Sequence, residues 1–214
     1  MQLVLPRLYV ILDATLLPIS AQDCAQELAG AGVRLMQYRD KTASAREMLD
    51  ISRGLASLLS PLGASFIVND RPDVAVLAGA DGVHVGQQDF AAEQARSLVG
   101  PKKWIGVSTH NLEQFREAAA TSADYIAVGP IFATLSKANP DPAVGTGLIR
   151  RLRGLTDKPI VAIGGITVET AAQVIEAGAD SVAVIGDILR ALDRTQRARQ
   201  YLEVLGAAHR AASV

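Results

Sequence analysis

Eight short apolar runs, rich in β-branched residues, recur along the chain in alternation with alanine-rich helical patterns, and few architectures accommodate that rhythm. The runs fall at 8–13, 33–39, 65–69, 82–85, 104–108, 125–128, 160–163 and 181–184. Each is continuously apolar rather than alternating with polar residues, as parallel strands covered on both faces must be. Helices are predicted between them at 21–29, 45–59, 72–77, 91–98, 112–121, 147–155 and 170–177. Asn111 and Thr167 read as N-caps, with side-chain oxygens available to free backbone N–H groups. Ala-Gly pairs at 29–30, 78–79 and 177–178 read as helix stops with a glycine for the left-handed cap. Gly-Ala-Asp at 79–81 and 178–180, and Ser-Ala-Asp at 122–124, each precede a strand and form a weak internal repeat. An open doubly wound sheet is the alternative, but its Gly-x-Gly-x-x-Gly turn is missing after the first strand. The 214 residues contain no linker, low-complexity stretch or composition shift. The expectation is therefore an α/β fold, a single (β/α)₈ TIM barrel spanning residues 1–214.

Composition narrows the partners. A formal net charge of −1 gives no electrostatic reason to expect nucleic acid or an anionic membrane surface. The single cysteine, Cys24, excludes an intramolecular disulfide and a multi-cysteine metal site, and fits a reducing cytosol. Its spacing with Ala21, Ala25 and Leu28 makes it a small buried hydrophobe of a helix. The apolar N-terminus is broken by Pro6, Arg7, Asp13 and Pro18, so it reads neither as a signal peptide nor as a membrane span. A cytoplasmic protein is expected.

In such barrels chemistry sits at the C-terminal ends of the strands, where the βα loops converge. Polar residues gather there repeatedly, and they sort into three groups. The first is cationic: Arg39 and Lys41 after the second strand, and Lys137 on the long loop after the sixth. Alternation places Gln37, Arg39 and Lys41 on one side of an extended strand. Three cations with amide and hydroxyl donors suit a polyanion such as pyrophosphate. The competing reading is an internal salt-bridge layer, with Arg39 and Lys41 paired to Asp70 and Asp89. The second group is the carboxylate pair Asp70 and Asp89 on adjacent strand ends. Mg²⁺ takes one or two carboxylates together with substrate phosphate oxygens and water, so this pair suffices. Helix capping is the alternative for Asp70, which precedes Arg71-Pro72. The third group is Gly164-Gly165-Ile166-Thr167 after the seventh strand, with Ile185-Gly186 opening a short helix after the eighth. Backbone N–H groups there match the recurrent barrel site for a phosphate monoester. Two anion sites, one metal-assisted and one built from backbone, would suit two small phosphorylated substrates.

Other residues invite less. His84 lies within a strand and reads as packed or hydrogen-bonded, whereas His110, after Ser108-Thr109, stands on the mouth side. No Ser-His-Asp or Cys-His order suggests a covalent nucleophile. The basic run from Arg194 reads as the solvated face of the closing helix.

The motifs Gln37-Tyr38-Arg39-Asp40-Lys41, Asn69-Asp70, Gly86-Gln87-Gln88-Asp89, Gly106 to His110, Gly129-Pro130-Ile131-Phe132, Thr134 to Lys137 and Ile163 to Ile166 stand in this order. Together they make the chain resemble thiamine phosphate synthases from roughly residue 8 to 189. The resemblance implies a transferase of thiamine biosynthesis, which joins hydroxymethylpyrimidine pyrophosphate to a (carboxylated) hydroxyethylthiazole phosphate. Thiamine phosphate and pyrophosphate are released, with CO₂ from the carboxylated substrate. It further implies that Gln37, Tyr38, Arg39, Asp40, Lys41, Asn69, Ser108 and Lys137 contact the pyrimidine substrate and its pyrophosphate. Arg39, Lys41, Ser108 and Lys137 would be catalytic, and Asp70 and Asp89 would hold Mg²⁺. Thr134, Leu135, Ser136, Gly165, Ile185 and Gly186 would hold the thiazole phosphate. The chain departs from the family pattern at Ala133, Ser136, Ser181 and Gly186, from which weaker phosphate anchoring is expected but no change of reaction. The rivals are a thiazole tautomerase-like isomerase and a non-catalytic thiazole-phosphate-binding regulator. A homo-oligomer is compatible with all of these.

Overall fold

The computed structural model describes residues 3–134 and 142–212. Eight parallel strands close in sequence order: β1 (Leu8–Asp13), β2 (Leu35–Arg39), β3 (Ser65–Asn69), β4 (Gly82–Val85), β5 (Trp104–Thr109), β6 (Tyr125–Val128), β7 (Ile160–Ile163) and β8 (Ser181–Val184). Each neighbour pairs in parallel, and β1 pairs with β8 to leave no edge. Helices α1 (Ala21–Gly30), α2 (Ala45–Leu59), α3 (Pro72–Ala78), α4 (Ala92–Val99), α5 (Leu112–Ala119), α6 (Gly145–Arg153) and α7 (Val168–Glu176) fill the crossovers. A short α8 (Gly186–Leu189) and a long α9 (Arg194–Ala212) complete the ring.

The strand periodicity of two divides the core. Outward residues such as Leu8, Val10, Leu12, Phe66, Val68, Ile126 and Val128 pack against the helices, where Leu55, Phe115 and Tyr201 are fully buried. Inward residues Tyr9, Ile11, Leu35, Ile67, Tyr125, Ala127, Val161 and Ala183 fill the barrel with a second, smaller cluster. Each fully buried large side chain contributes ~1.5–3 kcal/mol by leaving water. Cys24 is buried in the outer layer, as its helical spacing requires.

The repeated Ala-Asp before alternate strands has a definite function in the fold. Asp81, Asp124 and Asp180 each accept, on Oδ2, the backbone N–H of a residue at the start of the preceding strand: Phe66 at 2.8 Å, Ile105 at 2.7 Å and Ile160 at 2.7 Å. Their own N–H groups donate back to the carbonyls of the same three residues. Arg96 and Arg153 brace Asp124 and Asp180 from the helix side. These reciprocal pairs satisfy backbone groups that a tight turn would otherwise leave bare.

Some expected boundaries move. The second strand starts at Leu35, because Val33 N–H is spent closing the end of α1 on Leu28 O. Gly30 lies inside α1 rather than stopping it, and Gly32 takes the positive φ instead. Gly79 and Gly178 do adopt positive φ after their helices. α6 begins at Gly145 and ends at Arg153, two residues earlier than the spacing suggests, since Ile149 and Leu152 supply its buried face. Asn111 caps α5 by accepting from Gln114 N–H at 2.9 Å. Thr167 holds the cap position of α7, with its own N–H donating to the Thr170 hydroxyl at 2.9 Å. Among the described residues no helix is long and apolar enough to cross a membrane.

Candidate active site

At the C-terminal ends of the strands the barrel opens into a cavity of about 860 Å³. β1 contributes Asp13, which is 1% exposed. Its Oδ1 accepts from Thr15 N–H and Oγ1 at 3.1 and 2.6 Å, while Oδ2 receives the Arg39 guanidinium. Asp13 and Arg39 stand level across the β1–β2 ladder, so register alone brings them together. Two strand positions below Arg39, Gln37 lies buried on the same inward face.

β3 and β4 contribute the acidic wall. Asp70 has left-handed backbone geometry, φ +62°, which short polar side chains tolerate best. Its N–H donates to His84 O at 2.8 Å, and its carboxylate meets the Lys41 ammonium. Burial, followed by the neighbouring Asp89, holds the Asp70 carboxyl above its ordinary range, and Lys41 opposes that rise. Asp89 accepts from Gly86 N–H at 2.8 Å. Asp70 is therefore not a helix cap: α3 starts behind Arg71, with Pro72 in its first turn. Of the competing salt-bridge layer, only the Lys41–Asp70 pair forms among the described residues, because Arg39 pairs with Asp13 instead.

Deeper in the barrel a hydrogen-bonded chain joins opposite walls. Gln37 Nε2 donates to Tyr9 Oη at 2.6 Å, and Tyr9 and Tyr125 hydroxyls lie 3.1 Å apart. Tyr125 Oη is 3.1 Å from His84 Nδ1, and His84 Nε2 is 2.8 Å from Ser108 Oγ. Gly106 makes this possible, since a Cβ there would lie 2.1 Å from Tyr125 Cζ and 2.4 Å from His84 Nδ1. Burial raises both phenols far above their ordinary range, so both stay protonated.

Across the mouth, Gly164 and Gly165 follow β7 at φ +99° and +63°. A Cβ on Gly165 would sit 2.3 Å from Ala133 O. Thr167, Ile185 and Gly186 line the same side, where α8 opens toward the cavity. Amides in a first helical turn point outward and attract anions. Arg190 and Asp187 line it too, and Tyr201 Oη donates to Asp187 at 2.8 Å.

Thus Gln37, Arg39, Lys41, Asn69, Asp70, Asp89, Ser108, Thr134, Gly165, Ile185 and Gly186 share one cavity. Tyr38 and Asp40 are not among its lining residues. Tyr38 packs into the outer core with its hydroxyl donating to Asp40 at 3.2 Å, and Asp40 caps the following turn through Thr42 and Ala43. Leu135, Ser136 and Lys137 lie outside the described residues. His84 is hydrogen-bonded in its strand, yet it also lines the cavity. His110 lines it as well, with Nδ1 2.8 Å from Gly129 O. Sequence reasoning missed Asp13, Tyr9 and Tyr125. The signal was available in the parity of β1, which turns Tyr9, Ile11 and Asp13 inward together.

The donor set fits Mg²⁺: Asp70 and Asp89 supply two neighbouring hard oxygens beside open cavity space. Among the described residues no third His, Cys, Asp or Glu joins them, so further oxygens would come from substrate and water.

The family model described as thiamine monophosphate synthase matches residues 8–188. A protein of Koribacter versatilis named thiamine-phosphate synthase is 51% identical over 206 residues, covering 94% of this chain and 96% of its own. One of Chloroflexus aurantiacus with the same name is 46% identical over 197 residues, covering 91% and 90%. The solved structure of thiamine phosphate pyrophosphorylase from Pyrococcus furiosus superposes with a TM-score of 0.86 at 32% identity, covering 94% of this chain and 96% of that one. On these matches the chain belongs to the thiamine monophosphate synthase family.

Proposed function

We propose that the protein is a thiamine phosphate synthase, coupling hydroxymethylpyrimidine pyrophosphate to hydroxyethylthiazole phosphate with release of pyrophosphate. The observation that carries this is one cavity with two unlike anion sites: Arg39, Lys41, Asp70 and Asp89 on one wall, Gly164-Gly165 and Gly186 on the other. In this scheme Arg39 and Lys41 bind the pyrophosphate and stabilise charge gathering on the leaving oxygen. Asp13 holds the Arg39 guanidinium in place for that task. Mg²⁺ held by Asp70 and Asp89 would add Lewis-acid neutralisation of the same leaving group. Gln37, Asn69 and Ser108 orient the pyrimidine, whose electron-rich ring supports departure without a protein nucleophile. The glycine-rich wall anchors the thiazole phosphate, keeping the thiazole nitrogen within ~3–3.5 Å of the reacting carbon. Thr134 belongs to this wall, and the family resemblance adds Leu135, Ser136 and Lys137. A cytoplasmic enzyme is part of the proposal, supported by the lone buried Cys24.

Incubating the protein with both substrates and Mg²⁺, and assaying thiamine phosphate and pyrophosphate, tests it. Stoichiometric formation of both products is expected. Isomerised thiazole without coupling would instead identify a tautomerase-like enzyme, and ligand binding without turnover a regulator.

A further inference from the structure

Gln37 on β2 and Ser108 on β5 are joined beneath the cavity by Tyr9, Tyr125 and His84. This chain passes through the barrel interior, where both phenols are at most 1% exposed, and neither has a role in the scheme above. Counting protons along it fixes its direction. Tyr9 Oη already accepts from Gln37 Nε2, so its single proton goes to its other partner, Tyr125. Tyr125 then gives its proton to His84 Nδ1. With Nδ1 accepting, His84 carries its proton on Nε2 and donates to Ser108 Oγ. Starting with a proton on Nδ1 would send two donors toward Tyr9 and strand a buried hydroxyl proton without an acceptor.

We infer that Tyr9 and Tyr125 are positioning residues that set the hydrogen-bonding polarity of the cavity floor, so that Gln37 presents a carbonyl acceptor and Ser108 a hydroxyl donor. The two ends are complementary by construction, because each link passes one proton in the same direction. The floor then selects a planar heterocycle with an N–H donor on its β2 side and a ring-nitrogen acceptor on its β5 side. An aminopyrimidine meets this demand, and its hydroxy-substituted analogue, with donor and acceptor exchanged, does not. In this part the inference rests on the proposed function. The direction of the relay does not.

The ring nitrogens of His84 report the direction. In ¹⁵N-labelled protein, with His84→Gln used to assign the signals among the three histidines, His84 is expected as the Nε2–H tautomer. Tyr125→Phe removes the donor to Nδ1 and is expected to abolish that preference. Tyr9→Phe leaves the Tyr125–His84 bond in place and is expected to keep the tautomer while releasing the Gln37 amide. Both variants should raise KM for the pyrimidine substrate by about tenfold, leaving KM for the thiazole phosphate within about twofold. An Nδ1–H tautomer in the wild type would mean that the relay runs the other way, with the Gln37 amide turned over, and overturns the inference. Equally adverse would be a folded Tyr125→Phe variant with unchanged tautomer and unchanged pyrimidine KM. Should the wild type make no thiamine phosphate, the functional reading falls, and the ¹⁵N signals still decide the relay.

Discussion

Arg39 shows how much of a site can be read from one residue and how much needs its neighbour. Its place at the end of β2, two positions beyond Gln37, marks it as an inward cation from the sequence alone. The competing reading pairs it with the acidic residues on β3 and β4, because those carboxylates stand out in the sequence. The register of β1 against β2 decides otherwise and gives Arg39 to Asp13. Asp13→Asn keeps an acceptor for Thr15 but removes the counter-charge. Turnover should fall at least about tenfold, in line with ~1.5–3 kcal/mol for a charge-assisted hydrogen bond, as steady-state kinetics with circular dichroism to confirm folding will check. Gly165 is the matching case on the opposite wall. With φ at +63° and Ala133 O only 2.3 Å from a would-be Cβ, Gly165→Ala must displace the loop. KM for the thiazole phosphate should rise several-fold, roughly the effect of ~1 kcal/mol, while KM for the pyrimidine substrate holds. Equal changes in both constants would argue against separate walls.

At the scale of elements, every strand was legible, because a buried parallel strand can only be a continuous apolar run. Helix ends were less so. Gly30 looked like a stop, but the chain uses Gly32, where the turn into β2 demands the positive φ. α6 was displaced because the residues leading into it carry no periodic signal, and its position is set by packing of Ile149 and Leu152. The Ala-Asp repeat was visible as a pattern without a cause, since a carboxylate reaching the preceding strand is a long-range contact. Asp124→Ala deletes the acceptor of Ile105 N–H and the partner of Arg96. It should lower unfolding stability by ~1–3 kcal/mol, seen as a reduced urea midpoint, with KM values unchanged because Asp124 lies at the far end of the barrel from the cavity. A wild-type midpoint would remove the carboxylate from the account of the fold.

Across the whole molecule the two rims have separate tasks. The mouth gathers charge that folding alone would avoid: Asp70 beside Asp89, and a guanidinium whose side chain is only 24% exposed. In the proposed function, phosphate and metal would complete this arrangement. Chelation of divalent cations should therefore abolish coupling, and added Mg²⁺ should restore it; full turnover in excess chelator would remove Asp70 and Asp89 from the role of metal ligands.

The opposite rim has a dynamic consequence. Each aspartate stitches a strand to the one that follows it, β3 to β4, β5 to β6 and β7 to β8, whereas at the junctions between them Lys103 Nζ donates to Ala80 O and Lys158 Nζ to Thr121 O. The rim thus alternates reciprocal carboxylate clasps with single lysine ones, and the strand pairs under an aspartate are expected to be its most firmly coupled units. In native-state hydrogen exchange the amides of Phe66, Ile105 and Ile160 should exchange in step with the strand that follows each of them. Exchange in step with the preceding strand instead would show that the rim is one continuous hoop.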